Sequence, residues 1–439
     1  MKAKPPLLIV SFALVAILAT AGPLLCGQPN EIGSGWATWV SLGGDFRRSG
    51  LSQDAGPAPN CVKWTFETGG SVVGSVTVGA ENQIHVACED GKLYTLDPNG
   101  TSLWVLDVNA PLVSAPSIGP DGGLYVGGRD GSLYATDSQG ALRWTYDTGD
   151  AIYSSPAIAP SGEVYVASTD GTLYALDRDG AELWQFTTHG PGVLPAGCIF
   201  ASPAIGADGT VYIAGLYDPN LYALDPTDGS VKWACRFPPA QVGDEEGWPF
   251  VSPVVAEDGT IYQTLLYDRH LYAIDSNDGA VLWRTDLLDP NSGLFDANDT
   301  EQYADADGWS EPVLGPDGTI YVSLDDPFLR AVDPNGNLKW ATRLGEVGGF
   351  TLTVDREGWV YATGDDGHVY VADSTGLEIG RIETGGWPAF PVLAAEGLLI
   401  VADSQDYSSL NTDAKNAVYA VSSECPDAPG AGDEESPPR

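Results

Sequence analysis

Apolar and polar positions recur along this chain in short blocks, not in helical stripes. The clearest block runs Asp170-Gly-Thr-Leu-Tyr-Ala-Leu-Asp-Arg-Asp-Gly-Ala-Glu-Leu-Trp184, and it returns at Asp90–Trp104 and Asp130–Trp144. Looser copies end at Trp233, Trp283 and Trp340. The tryptophans fall 40 residues apart at first, then 49, 50 and 57. Within a copy, Val164-Tyr-Val-Ala167 and Leu173-Tyr-Ala-Leu176 are apolar and β-prone and predict strands. Asp170-Gly171 predicts a tight hairpin between them, and Pro160-Ser-Gly162 a turn before the first. With the Ser154–Ile158 region and a strand at Leu183-Trp184, one copy makes a four-stranded antiparallel meander. Such a sheet cannot cover both of its faces alone, so the copies must stack; a period near 40 is that of propeller blades. Trp64, Trp104, Trp144, Trp184, Trp233, Trp283 and Trp340 are large and planar and are expected to wedge between adjacent blades.

The two ends of the chain complete each other. Val62-Lys-Trp-Thr-Phe66 reads as a fourth strand with no first three before it, while the last copy, Gly385 to Val421, stops after three strands. Joined, they give an all-β, eight-bladed β-propeller of four-stranded antiparallel blades, the last closed by the N-terminal strand. Closure removes the open sheet edges of a linear array. The seven fuller copies carry Ile84, Tyr125, Tyr165, Tyr212, Tyr262, Tyr321 and Tyr361 on their second strands. Residues 61–425 form the propeller, 22–60 a lead-in, and 426–439, rich in Pro, Gly and acid, a disordered tail. Register places Cys61 and Cys425 in neighbouring slots of one hairpin turn, where a disulfide would lock the ring. Cys198 and Cys235 are expected to pair across the fourth blade; Cys26 and Cys88 stay unassigned.

The start of the chain changes the compartment. Lys2 and Lys4, the apolar run Leu7–Ala19 and the small residues Ala19-Thr-Ala21 form an export signal over residues 1–21, so the protein is extracytoplasmic: periplasmic, envelope-associated or secreted. Export permits disulfides. The run is too short for a transmembrane span. Cys26 keeps a lipid anchor open, although Pro23-Leu-Leu25 lacks the small residue normally found before such a cysteine. With 60 acidic against 20 basic residues, the formal charge is −40. That field repels nucleic acid and anionic headgroups and suits cations, basic partners or plain solubility.

The repeat, as in Asp170–Trp184, and the opening segment Trp39–Gly50 resemble those of the pyrroloquinoline-quinone-repeat propellers. The likeness covers nearly all of the mature chain. Two branches of that family imply different functions. The quinoprotein alcohol dehydrogenases hold the quinone and calcium in the funnel and use a vicinal disulfide; no Cys-Cys pair and no Cys-X-X-Cys-His haem site exists here. The other branch is similar to the non-catalytic lipoprotein subunit of the outer-membrane β-barrel assembly machinery, an eight-bladed scaffold that binds partners through loops. This chain is far more acidic than that relative.

Candidate chemistry is sparse. His85, His189, His270 and His368 show no metal-ligand spacing. No activated nucleophile or phosphate loop stands out. The insertion in the sixth copy carries Asp296, Asn298, Asp299, Glu301, Asp305 and Asp307, oxygen donors of the kind calcium takes, at a spacing that does not fit an EF-hand. A solvated acidic loop is the competing reading. Tyr153, Phe200, Phe250 and Trp309 occupy one slot in four consecutive copies, with Trp248 and Trp387 close in register. They are expected to form an aromatic arc at the channel mouth beside the long insertions, as a partner or ligand surface or as inter-blade packing. The sequence therefore favours a non-enzymatic scaffold that binds a protein or envelope component through its loop face. The alternatives are a quinone- and calcium-dependent dehydrogenase and a glycan-binding propeller. No cofactor is predicted and the quinone is not expected; calcium stays open.

Overall fold

The computed structural model describes residues 47–52, 54–58, 61–188, 198–238, 249, 251–266, 268–289, 292–295, 303, 310–345, 351–364, 366–384, 387–388, 391–394, 397–404 and 416–423. Their strands form eight antiparallel sheets. Blade 3 is typical: Ala157–Ile158 innermost, then Val164–Ala167, Thr172–Leu176 and, outermost, Glu182–Thr187. Blade 8 takes Leu398–Ser404 and Ala417–Ser422 from the C-terminal end and Cys61–Glu67 from the N-terminal end, with Trp64 opposite Ala420 and Phe66 opposite Val418. The ring thus closes through its termini. A 3-10 turn spans Ala80–Asn82, and among the described residues no helix is long and apolar enough to cross a membrane.

Burial follows radial position. Second strands such as Val164–Ala167 have sheet neighbours on both sides and blades on both faces, so all four residues are buried. Outermost strands such as Leu142–Asp147 alternate exposed and half-buried positions. Register corrects one sequence expectation. His85, not Ile84, holds the tyrosine slot of blade 1: it pairs with Thr77 as Tyr125 pairs with Ser117. Its ring lies 6.3 Å from Trp104, as Tyr125 lies 5.8 Å from Trp144. Burial pulls the His85 pKa down to about 4.

The aspartates of the repeat are turn chemistry. Asp170 accepts the N–H of Thr172 (2.8 Å) and the hydroxyl of Tyr174 (2.7 Å), bracing the hairpin between second and third strands. Asp177 accepts the N–H groups of Asp179 and Ala181, capping the next turn. Equivalent pairs recur around the ring, for example Asp130 with Tyr134 and Asp218 with Tyr222. Part of the acidic excess is therefore structural.

Each of the seven repeat tryptophans latches one blade to the next. The Trp184 indole donates to Pro226 O (2.8 Å), Trp233 to Ser276 O (2.8 Å) and Trp64 to Pro98 O (2.9 Å). The ring packs against a glycine of the neighbouring turn. At Gly229 (φ +72°) a Cβ would stand 2.5 Å from the Trp184 ring, so neither the conformation nor the space admits a side chain.

Candidate functional site

A meander that starts at the axis sends its connections to alternate faces. First-to-second and third-to-fourth turns share one face; second-to-third connections and the links between blades share the other. We call these the turn face and the loop face. Residues 47–52 and 54–58 run along the turn-face end of the axis, past the innermost strands of blades 5 to 7. Arg47 O accepts the N–H of Val255 (3.0 Å), Ser49 O that of Leu314 (2.8 Å) and Gly50 O that of Val354 (3.1 Å). Those three residues end the innermost strands of blades 5, 6 and 7. The lead-in is therefore a strap over the axial channel.

From the strap, Arg48 points up the axis. It is buried, and it donates to Pro203 O (3.0 Å) and Ser155 O (3.3 Å) on blades 4 and 3. Around it runs a ladder between blades. The N–H of Ser155 donates to Ser202 Oγ (2.9 Å), that of Ser202 to Ser252 Oγ (2.8 Å), and that of Ser252 to Glu311 Oε1 (3.2 Å). Burial pushes the Glu311 carboxyl up to about 7 against the pull of Arg48, and burial brings Arg48 down to about 10. The two buried charges act on each other without a hydrogen bond between them, and Arg48 Nη1 has no hydrogen-bond partner.

At the loop-face end of the axis, Tyr153 and Phe200 meet with ring centroids 5.7 Å apart. One apolar cluster joins Val72 and Cys88 of blade 1 to Tyr153, Phe200, Val251 and Leu266 of blades 3 to 5. Among the described residues it contains no side chain of blades 2, 6 or 7. Beside it Arg129 holds Glu89, whose carboxyl is raised by burial against the pull of that guanidinium.

The loop face is lopsided. The links into blades 1, 2 and 3 are 9 residues each: Thr68–Val76, Val108–Pro116 and Thr148–Pro156. Those into blades 4, 5 and 6 are 16, 17 and 26: Thr188–Pro203, Phe237–Pro253 and Leu287–Pro312. The longest has a built root. In blade 6 Arg330 stands where other blades carry the tyrosine partner of the hairpin aspartate. Its guanidinium binds Asp326 through both terminal nitrogens and donates to Leu287 O (2.6 Å), with Phe295 and Phe328 packed at 5.3 and 5.5 Å. Tyr303 also packs on Phe328, at 6.0 Å. One repeat departure thus anchors the largest insertion.

Of the six residues of the aromatic arc, the structure brings Tyr153 and Phe200 together. Trp387 pairs through its backbone with Ser404 in blade 8. Trp248, Phe250 and Trp309 lie outside the described residues, as do Asp296, Asn298, Asp299, Glu301, Asp305, Asp307, Cys26 and Cys425. The expected Cys198–Cys235 bridge is overturned. Cys235 is a free thiol on an outermost strand, packed in the blade 4–5 core beside Phe237, whereas Cys198 lies in the axial cluster. Cys88 is free and buried too. Sequence reasoning missed Arg48, Arg129, Glu311 and Arg330. A signal existed for two of them. Glu311 replaces the serine before proline seen at Ser155, Ser202 and Ser252, and Arg330 replaces a repeat tyrosine.

The fold brings with it the question of a quinone and calcium at the axis. A flat polycarboxylate needs cationic partners, and calcium needs six to eight oxygens. The axial cation Arg48 is sealed below the serine ladder, Arg129 is held by Glu89, and an apolar cluster lines the loop-face end. Among the described residues no group of three His, Cys, Asp or Glu is placed to hold a metal. These residues do not fit the pair.

The sequence model for outer membrane protein assembly factor BamB matches residues 89–264 and 179–307. The structure is similar to BamB from Moraxella catarrhalis at 19% identity and a TM-score of 0.64, over 82% of this chain and 99% of that one. It is also similar to the quinohemoprotein alcohol dehydrogenase from Comamonas testosteroni (15%, TM-score 0.69, 91% and 82%) and to a europium-containing methanol dehydrogenase (14%, 0.69, 88% and 98%). At these identities the structural likeness speaks for the fold alone. No curated protein matches the chain in sequence at a significant level. The repeat, the ring and the matching family model together make this chain a member of the pyrroloquinoline-quinone-repeat β-propellers.

Proposed function

We propose that the protein is an exported, non-enzymatic scaffold that binds a protein or envelope component through the loop face over blades 4 to 6. The observation that carries this reading is the asymmetry of the two faces. Long links gather in one arc of the loop face, on a built Arg330–Phe295–Phe328 root, while the turn face carries short turns and the chain's own strap. The BamB family match supports a partner-binding role in the cell envelope. Export rests on residues 1–21, with Cys26 as the candidate anchor. Calcium on the Asp296–Asp307 stretch remains a proposal for the same face. Cys61 sits opposite Ser422, three residues before Cys425, and a Cys61–Cys425 bridge would close the ring; non-reducing peptide mapping that finds both thiols free would remove it.

Deleting residues 289–307 would also remove Phe295 and Tyr303 from the blade 6 core, so charge reversal is the cleaner test. Asp296→Lys, Asp299→Lys and Glu301→Lys together should leave thermal unfolding unchanged and abolish capture of the envelope partner in cross-linked pull-downs. An identical capture profile would contradict the reading.

A further inference from the structure

Every blade turns the free edge of its outermost strand to the rim, and an open edge is a template for another strand. Charged side chains on the edge, lysine above all, are the usual guard against such pairing. The residues on either side of the Trp, or of Gly380 in blade 7, point outward. Six blades carry a cation at one of these two positions: Lys63, Arg143, Lys232, Arg284, Lys339 and Arg381. Blade 3 sets polar Gln185 beside Leu183. Blade 1 alone has two aliphatic residues there, Leu103 and Val105, which are 49% and 46% exposed.

The rest of that strand is equally unguarded. From Ser102 to Leu106 it carries no charge, and Asp107 ends it. Val105 stands opposite Tyr94, which packs edge-on against Phe66 of blade 8 with ring centroids 5.5 Å apart. Apolar surface therefore continues from the strand across the seam where the ring closes.

The strand is also complementary to itself. An antiparallel mate centred on Trp104 sets Leu103 of each copy opposite Val105 of the other, and Asp107 opposite Thr101. Two aliphatic pairs form and no charge meets its like. A basic partner would find no carboxylate on this strand before Asp107. Recognition there rests on backbone and aliphatic matching, and a second copy supplies both.

We infer that two copies of this chain associate through blade 1, their Ser102–Asp107 strands adding antiparallel across a two-fold axis. Two four-stranded blades then become one eight-stranded sheet. One strand edge is a small contact, so the association is weak. Each copy's formal charge of −40 opposes it, and salt that screens the repulsion strengthens it. The contact lies at the rim and stands whether or not the loop face binds a partner.

Analytical ultracentrifugation of the full chain tests it. The dimer dissociation constant should fall at least about tenfold between about 0.05 and 0.5 M salt. Val105→Lys, which restores the guard, should raise it at least about tenfold. Thr145→Lys, at the same position in blade 2, should leave it unchanged. Equal melting temperatures report that both variants are folded. In hydrogen exchange, the Ser102–Asp107 amides should gain protection with protein concentration. A monomer at every concentration and salt would overturn the inference, as would a dimer that survives Val105→Lys. Association that weakens with salt would assign the contact to oppositely charged surfaces and overturn it as well.

Discussion

Seven seams between blades carry a tryptophan, and the eighth does not. In blades 1 to 6 and in the split blade 8, the outermost strand places Trp opposite the same third-strand position. In blade 7, Gly380 stands there, opposite Val371 as Trp340 stands opposite Ala331. The turn that would receive a Trp from blade 7 is the place where the chain's two ends meet, so a latch would have nothing continuous to grip. The lead-in takes over. Tyr321 packs on Trp340 at 5.8 Å, but Tyr361 is fully buried and donates to Pro57 O of the strap (3.1 Å). Gly56 lies so close to Tyr361 and Leu393 that a Cβ would stand 2.1 Å from the tyrosine hydroxyl. The comparison teaches that the repeat fastens itself wherever the chain is continuous, and that non-repeat sequence fastens the one place where it is not.

The two kinds of fastening should break differently. Trp184→Ala removes a buried indole and its bond to Pro226 O, and should cost about 3–5 kcal/mol in urea unfolding; a loss under 1 kcal/mol would deny the latch its weight. Next comes the strap's tie to the axis. Glu311 titrates near 7 folded against an ordinary 4.5, so the folded state holds that proton more tightly than the unfolded chain. Its contribution is complete below the unfolded value and is lost as pH rises through about 7. Arg48 and Ser252 are the groups that face it. The unaltered protein should therefore lose melting temperature relative to Glu311→Gln between roughly pH 5 and 7.5, and a flat difference would contradict the burial that raises the carboxyl. Smallest is Tyr361→Phe, which strands Pro57 O and should cost about 1 kcal/mol. Tyr165→Phe, in a Trp-latched blade, should change stability by less than about 0.5 kcal/mol. Equal effects would erase the distinction.

The ring was legible because its signals are local and repeated. Asp-Gly turns, β-prone runs and the closing Trp return often enough to fix strand number, and the orphan Val62–Phe66 strand fixed closure. The axis was not legible, because its residues are single departures from the repeat. Glu311 becomes meaningful only when the serines of neighbouring blades are seen in one ladder, and Arg48 only when a segment outside the repeat is placed over the end of the channel. The Cys198–Cys235 expectation failed for a related reason. Cys198 lies in the link that enters blade 4 and Cys235 on that blade's outermost strand, and sequence distance does not reveal the radial distance between them.

A scaffold of the kind we propose, with its own chain laid over the turn-face end of the axis, has no use for a quinone there. Titrating pyrroloquinoline quinone with Ca²⁺ into the purified protein, read by calorimetry and by the bound chromophore, tests it most directly. The account predicts no saturable heat, no retained chromophore after gel filtration and no dye-linked alcohol oxidation. Stoichiometric quinone binding with alcohol oxidation would contradict it.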